Sequence, residues 1–148
     1  MHTFEIKTQP KLTPMPCGDC TAIIEMPSTG SLADLAEMIL NAMDFDDEHA
    51  YGFFDNLKNV YRSKEKYTLF ADHGEGDDDS EKGVSTTTVA TAFPKVGKQL
   101  MFLFDYGDNW HFLVTCTGIA GERKSGKPYR VVSVTGERPK QYPDCDEE

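Results

Sequence analysis

At 148 residues, with 39% hydrophobic and 11% aromatic side chains, the chain is about one domain long and can bury a core without staples, which excludes wholesale disorder. Lys and Arg number 15 against 25 Asp and Glu, a formal net charge of −10 that opposes non-specific binding to nucleic acid or to an anionic membrane, since both rest on basic side chains. No apolar run approaches the ~20 residues of a membrane helix, and Met1-His2-Thr3-Phe4-Glu5-Ile6-Lys7 has no apolar leader, so the expected location is cytoplasmic.

Residues 3–8 read as a strand, with Phe4 and Ile6 alternating against polar neighbours. Residues 10–20 are punctuated by Pro10, Pro14 and Pro16 and form a connection. A second strand is expected over 21–26, ended by Pro27 and the turn residues Ser28-Thr29-Gly30. Residues 32–43 then carry Leu32, Leu35, Ala36, Ile39, Leu40 and Met43 on one helical stripe. Ser31 stands at the N-cap position and Asp34 in the positive first turn. Such a stripe packs on a sheet.

An acidic loop, 44–49, leads to a strand over 50–54 and another over 61–71. Residues 72–83 are solvated loop by composition. Residues 86–93 fit a strand by their threonines or a short helix by Val89, Ala92 and Phe93. Strands over 99–104 and 110–117 flank Asp105-Tyr106-Gly107-Asp108-Asn109, where Gly and Asn tolerate positive φ, so the pair reads as a β-hairpin. A turn around Gly126, a last strand over 129–134 and an irregular acidic tail over about 136–148 complete the chain. Lys58, Arg62, Lys64 and Lys66, and Arg123, Lys124, Lys127 and Arg130, read as solvated edges. Strands in hairpin-linked runs predict a single α+β domain over 1–148, a mainly antiparallel sheet packed by one long amphipathic helix.

Two clusters carry candidate chemistry. Cys17-Gly18-Asp19-Cys20 has the spacing of a shared metal ligand pair or a redox pair. A zinc site needs two more ligands, for which Cys145 and a histidine are available, but no second such spacing exists. Prolines surround the motif where a redox pair would open a helix. Cys17 and Cys20 therefore read as loop cysteines, with metal binding as the alternative, and Cys116 as a buried small hydrophobe. The hairpin Phe104-Asp105-Tyr106-Gly107-Asp108-Asn109-Trp110-His111 is the denser cluster. Two carboxylates and an imidazole suit a divalent cation or acid–base work. Asp is also a plain turn former, and neighbouring strand residues face opposite ways. His49, after the acidic loop, reads as structural. No phosphate loop, G-x-S-x-G elbow or HExxH occurs.

The hairpin resembles the Y-D-F-G-D-x-W-x-H motif of the plasmid pRiA4b ORF-3-like family, with His111 one place early. Leu32-Ala33-Asp34-Leu35 and residues 39–45 resemble the family's L-x-x-L-H-x-x-I-x-x-A-F-G-W helix, with Ala36 where its His stands. His49-Ala50-Tyr51-Gly52-Phe53 resembles its H-L-Y-x-F strand. Residues 142–148 resemble only the opening of its P-P-E-D-x-G-G segment. The resemblance implies an α+β fold and no established activity. Some members are labelled transposon resolvases, but this chain has few arginines to surround a nucleophile.

Two functions follow as expectations. The first is a non-catalytic binding module, without cofactor, for an unknown protein or small-molecule ligand, contacted by Tyr106 and an exposed Trp110. The second is a metal-dependent hydrolase or nuclease in which Asp105, Asp108, His111 and His49 converge on an open coordination site.

Overall fold

A computed structural model describes residues 1–74, 81–121 and 127–141. Alternation builds the first two strands. In β1 (His2–Thr8) and β2 (Cys20–Met26) every second residue is buried, beginning with His2 and Cys20. Helix α1 (Leu32–Met43) follows, buried along Leu32, Leu35, Ala36, Ile39, Leu40 and Met43. It opens with a reciprocal cap. The Asp34 N–H donates to the Ser31 hydroxyl at 3.0 Å, and the Ser31 N–H donates to the Asp34 carboxylate at 3.1 Å. It closes at Asp44, in the left-handed region at φ 61°, whose N–H returns to the carbonyls of Asn41 and Leu40.

The remaining elements are β3 (Tyr51–Phe54), a 3₁₀ turn (Val60–Arg62), β4 (Lys66–Thr68), α2 (Leu69–Asp72), β5 (Glu81–Gly83), α3 (Val89–Ala92), β6 (Gln99–Phe104), β7 (Trp110–Ile119) and β8 (Arg130–Gly136). The strands form one sheet in the order β5-β4-β3-β6-β7-β1-β2-β8. Only the β4–β5 pair is parallel among the described residues.

This corrects the expected fold class. Among the described residues the protein is mostly sheet, with 38% strand and 18% helix, and its eight-stranded sheet is mixed. One long helix does not pack it. The twelve residues of α1 rise about 18 Å, whereas eight strands spaced ~4.8 Å apart extend over roughly 34 Å. The helix meets β2 and β8, at one end of the sheet. Elsewhere the same face is closed by Phe45, Val84, Val89 and Phe93 from connections and from α3.

Other expectations also change. The strand expected over 61–71 is a 3₁₀ turn, a three-residue strand and a helical turn. The Thr68 hydroxyl stops the strand by accepting the Ala71 N–H at 3.0 Å. Within residues 86–93 a single helical turn forms over Val89–Ala92, with Thr88 capping the N–H of Thr91 at 3.2 Å and pairing with Ser31 in an isolated bridge. The loop expected over 72–83 ends in a strand, β5. The turn at Gly126, with Arg123 and Lys124, and the tail beyond Gln141, with Cys145, lie outside the described residues. No helix among the described residues is long and apolar enough to cross a membrane.

The sheet buries two unequal cores. The larger, on the α1 face, gathers Phe4, Ile24, Phe53, Phe102, Phe104, Trp110 and Phe112. On the other face a small cluster of Phe54, Val60, Met101 and Leu103 is joined by partly buried Leu12, Leu57, Tyr106 and Leu113. Strand β6 is therefore buried on both sides, which is why Leu100-Met101-Phe102-Leu103-Phe104 is an unbroken apolar run.

Candidate functional site

The β6–β7 hairpin positions most of the candidate side chains. Phe104 pairs with Trp110, so residues 105–109 form the reversal. Positive φ falls on Asp105 (61°) and Asn109 (55°), and not on Gly107. Asp and Asn enter this region because a short polar side chain can bond to the local backbone. The Asp105 carboxylate does so, accepting the N–H groups of Gly107 at 3.1 Å and Asp108 at 3.4 Å. The Asn109 N–H closes the turn on the Asp105 carbonyl at 2.6 Å.

Asp105 also joins the hairpin to the preceding strand. Its N–H donates to the Ala50 carbonyl at 2.9 Å. Its second carboxylate oxygen lies 3.6 Å from Nε2 of His49, whose ring sits edge-on to Phe104. His49 and Asp105 are thus brought together, as a brace between two connections.

Trp110 is not the exposed anchor expected. It is fully buried, with its ring 5.0 Å from Phe45 in an edge-to-face arrangement. Strand parity is the reason: Trp110 lies on the same side of β7 as Phe112 and Val114, both core residues. Its indole N–H has no hydrogen-bond partner among the described residues.

His111 is on the opposite face by the same parity. Its Nδ1–H donates to the Asn109 carbonyl at 2.8 Å. Its backbone N–H donates to the Thr13 hydroxyl at 3.2 Å, and its carbonyl accepts from the Gln9 N–H at 3.2 Å, pinning the 9–13 loop against β7. Burial lowers its pKa below the usual imidazole value, partly countered by the bond to Asn109. Asp108 is half-buried in the turn and gives its N–H to Asp105. The expected convergence of Asp105, Asp108, His111 and His49 is absent. Among the described residues no three His, Cys, Asp or Glu side chains are arranged to hold a metal ion.

Cys17 and Cys20 are free thiols, and burial raises the pKa of both. Cys20 opens β2 and packs in the main core, with Cys17 against it. The loop between them is fixed by Thr8, whose hydroxyl donates to the Gly18 carbonyl at 2.8 Å and accepts the Cys20 N–H at 2.9 Å.

Sequence reasoning missed a groove of about 100 Å³ beside the hairpin, lined by Phe54, Val60, Tyr61, Phe70 and Tyr106 among others. The rings of Phe70 and Tyr106 are 5.3 Å apart. The Tyr61 hydroxyl donates to the Asn109 side chain at 3.2 Å, although the residue is 64% exposed. The loop carrying Tyr61 is braced by Asp55, which accepts the N–H groups of Lys64 and Glu65, and by a 2.6 Å ion pair between Glu65 and Lys98. Tyr61 and Phe70 were hidden by the expected 61–71 strand, in which they would have faced opposite ways.

No curated protein matches this sequence. Among solved structures, the chain is similar to the protein of unknown function MM3350 from Methanosarcina mazei Go1. The match has a TM-score of 0.66 at 16% identity and covers 90% of this chain and 67% of that one. A likeness at that identity establishes a shared fold. The family model for plasmid pRiA4b ORF-3-like proteins matches residues 22–147, a span that holds the capped helix, the His49 strand and the whole β6–β7 hairpin. By that match the chain belongs to the plasmid pRiA4b ORF-3-like family.

Proposed function

We propose that this protein is a non-catalytic binding module whose contact surface is the aromatic groove of Tyr61, Phe70 and Tyr106. The carrying observation is a division of labour at the hairpin. Asp105, His49 and His111 spend their polar atoms on the turn and its neighbours. Three rings stand beside them at the surface, with Phe70 at 38% and Tyr61 at 64% exposure. Aromatic side chains anchor partners because they offer large contact area at low entropic cost. The ligand that fits is a protein segment or small molecule presenting an apolar or planar group.

The test compares the protein with a Tyr61→Ala/Phe70→Ala variant. Partners or ligands captured by the first and lost from the second, at unchanged melting temperature, support the reading. Equal capture by both removes this groove from consideration. Phosphodiester hydrolysis by the purified protein with Mg²⁺ or Mn²⁺, abolished by Asp105→Asn, would replace the reading with a metal-dependent hydrolase.

A further inference from the structure

The two edges of the sheet are built differently. β5 is three residues, Glu81-Lys82-Gly83, short and charged. Those are devices by which natural edges avoid pairing with another chain. β8 is seven residues, Arg130-Val131-Val132-Ser133-Val134-Thr135-Gly136, without proline and without charge after its first position. No described strand covers its outer side. Five of its seven residues are exposed, and Val132, displaced by the irregularity in the β2–β8 register, is 43% exposed. Such a strand presents a row of backbone donors and acceptors to whatever strand arrives.

The ends of β8 say what fits. At its start Arg130 carries a guanidinium that binds Glu25 at 2.9 Å and retains donors for a second acceptor. Just past its end stands the exposed Glu137, whose backbone N–H is held by the Asp19 carbonyl at 3.3 Å. In an antiparallel pairing of two identical strands about a two-fold axis, the start of one meets the end of the other. Arg130 of each copy then faces Glu137 of its partner, once at each end. An isologous contact requires this self-complementarity.

We propose that β8 is a homodimerisation edge, at which a second copy of this chain pairs antiparallel and extends the sheet across the two-fold axis. A groove of about 290 Å³ between α1 and Tyr129, lined by Asp34, Glu37, Met38 and Asn41, lies alongside that end of the strand and is open to side chains of the incoming copy. One strand pair buries less than the ~1,200–2,000 Å² of a standard interface. The dimer is therefore concentration-dependent.

Sedimentation equilibrium on the full chain over a concentration series tests this. The expected result is a monomer–dimer equilibrium weakened at least tenfold by Val132→Lys. The single variants Arg130→Glu and Glu137→Arg each weaken self-association, because like charges meet at both ends. Mixed in equal amounts they regain dimerisation, because every end now pairs opposite signs. Recovery on mixing cannot arise from misfolding of either variant. A monomer at every concentration up to about 1 mM, or a dimer indifferent to Val132→Lys and to the charge reversals, overturns the proposal.

Discussion

The two faces of the β6–β7 hairpin use neighbouring residues for opposite purposes. On the α1 face Phe102, Phe104, Trp110 and Phe112 are fully buried in the large core. On the other face Met101 and Leu103 make a small core whose cover consists of partly buried Leu12, Leu57, Leu113 and Tyr106. The motif that marks the family is divided between them. Its tryptophan supports the fold, while Tyr106 belongs to the thin face, where it is only partly buried. Identity in a motif therefore does not assign one role to all its residues; strand parity does.

The strongest way to break this comparison is to truncate one residue on each face. Trp110→Ala is expected to cost about 3–5 kcal/mol, because a large ring leaves a cavity among rings that cannot all collapse into it. Leu103→Ala is expected near 2 kcal/mol, the low end for such a truncation, because its surroundings are a thin layer that can settle inward. Urea unfolding of both variants checks the order. Equal losses would mean that the two cores are one cooperative unit of similar density.

The next effect concerns the turn that joins the faces. Asp105→Ala removes the acceptor for two backbone N–H groups and leaves alanine at φ 61°. A loss of about 1–3 kcal/mol is expected from the strained backbone and the lost hydrogen bonds together. Asp105→Asn keeps an acceptor oxygen and tolerates the same φ, so most of the stability should remain. Thermal melts of the pair separate a structural Asp105 from one whose charge is essential: a structural residue gives the large loss only in the alanine variant.

These expectations also mark what was readable from residues alone. The capped helix was legible because Ser31, Asp34 and the Leu32–Met43 stripe all favour the same local structure. The hairpin was legible because two apolar strands flank a turn-rich segment. The burial of Trp110 was latent in its two-residue spacing from Phe112 and Val114. The order of strands was not legible. β6 pairs with β3 and β7, while β5, its predecessor in sequence, lies at the far edge. Such non-local pairing leaves no periodic trace. Nor was the aromatic groove legible, because Phe70 lies in a helical turn that a threonine cap creates where strand propensity was read.

The smallest expected effect is electrostatic and confined to the thin face. Burial depresses the His111 pKa in the folded protein, against about 6.5 when unfolded. Between the two values the unfolded chain holds more protons than the folded one, so stability rises with pH across that window. The contribution is complete above about pH 6.5 and is lost as pH falls through the folded value. His111 is half-buried, so solvent screening keeps the effect modest. His111→Gln should flatten this part of the pH–stability curve while leaving the carboxylate-dependent loss at lower pH in place. An unchanged slope between the protein and the variant would mean that the ring keeps its proton on folding, and that the Asn109 carbonyl at 2.8 Å outweighs the loss of water.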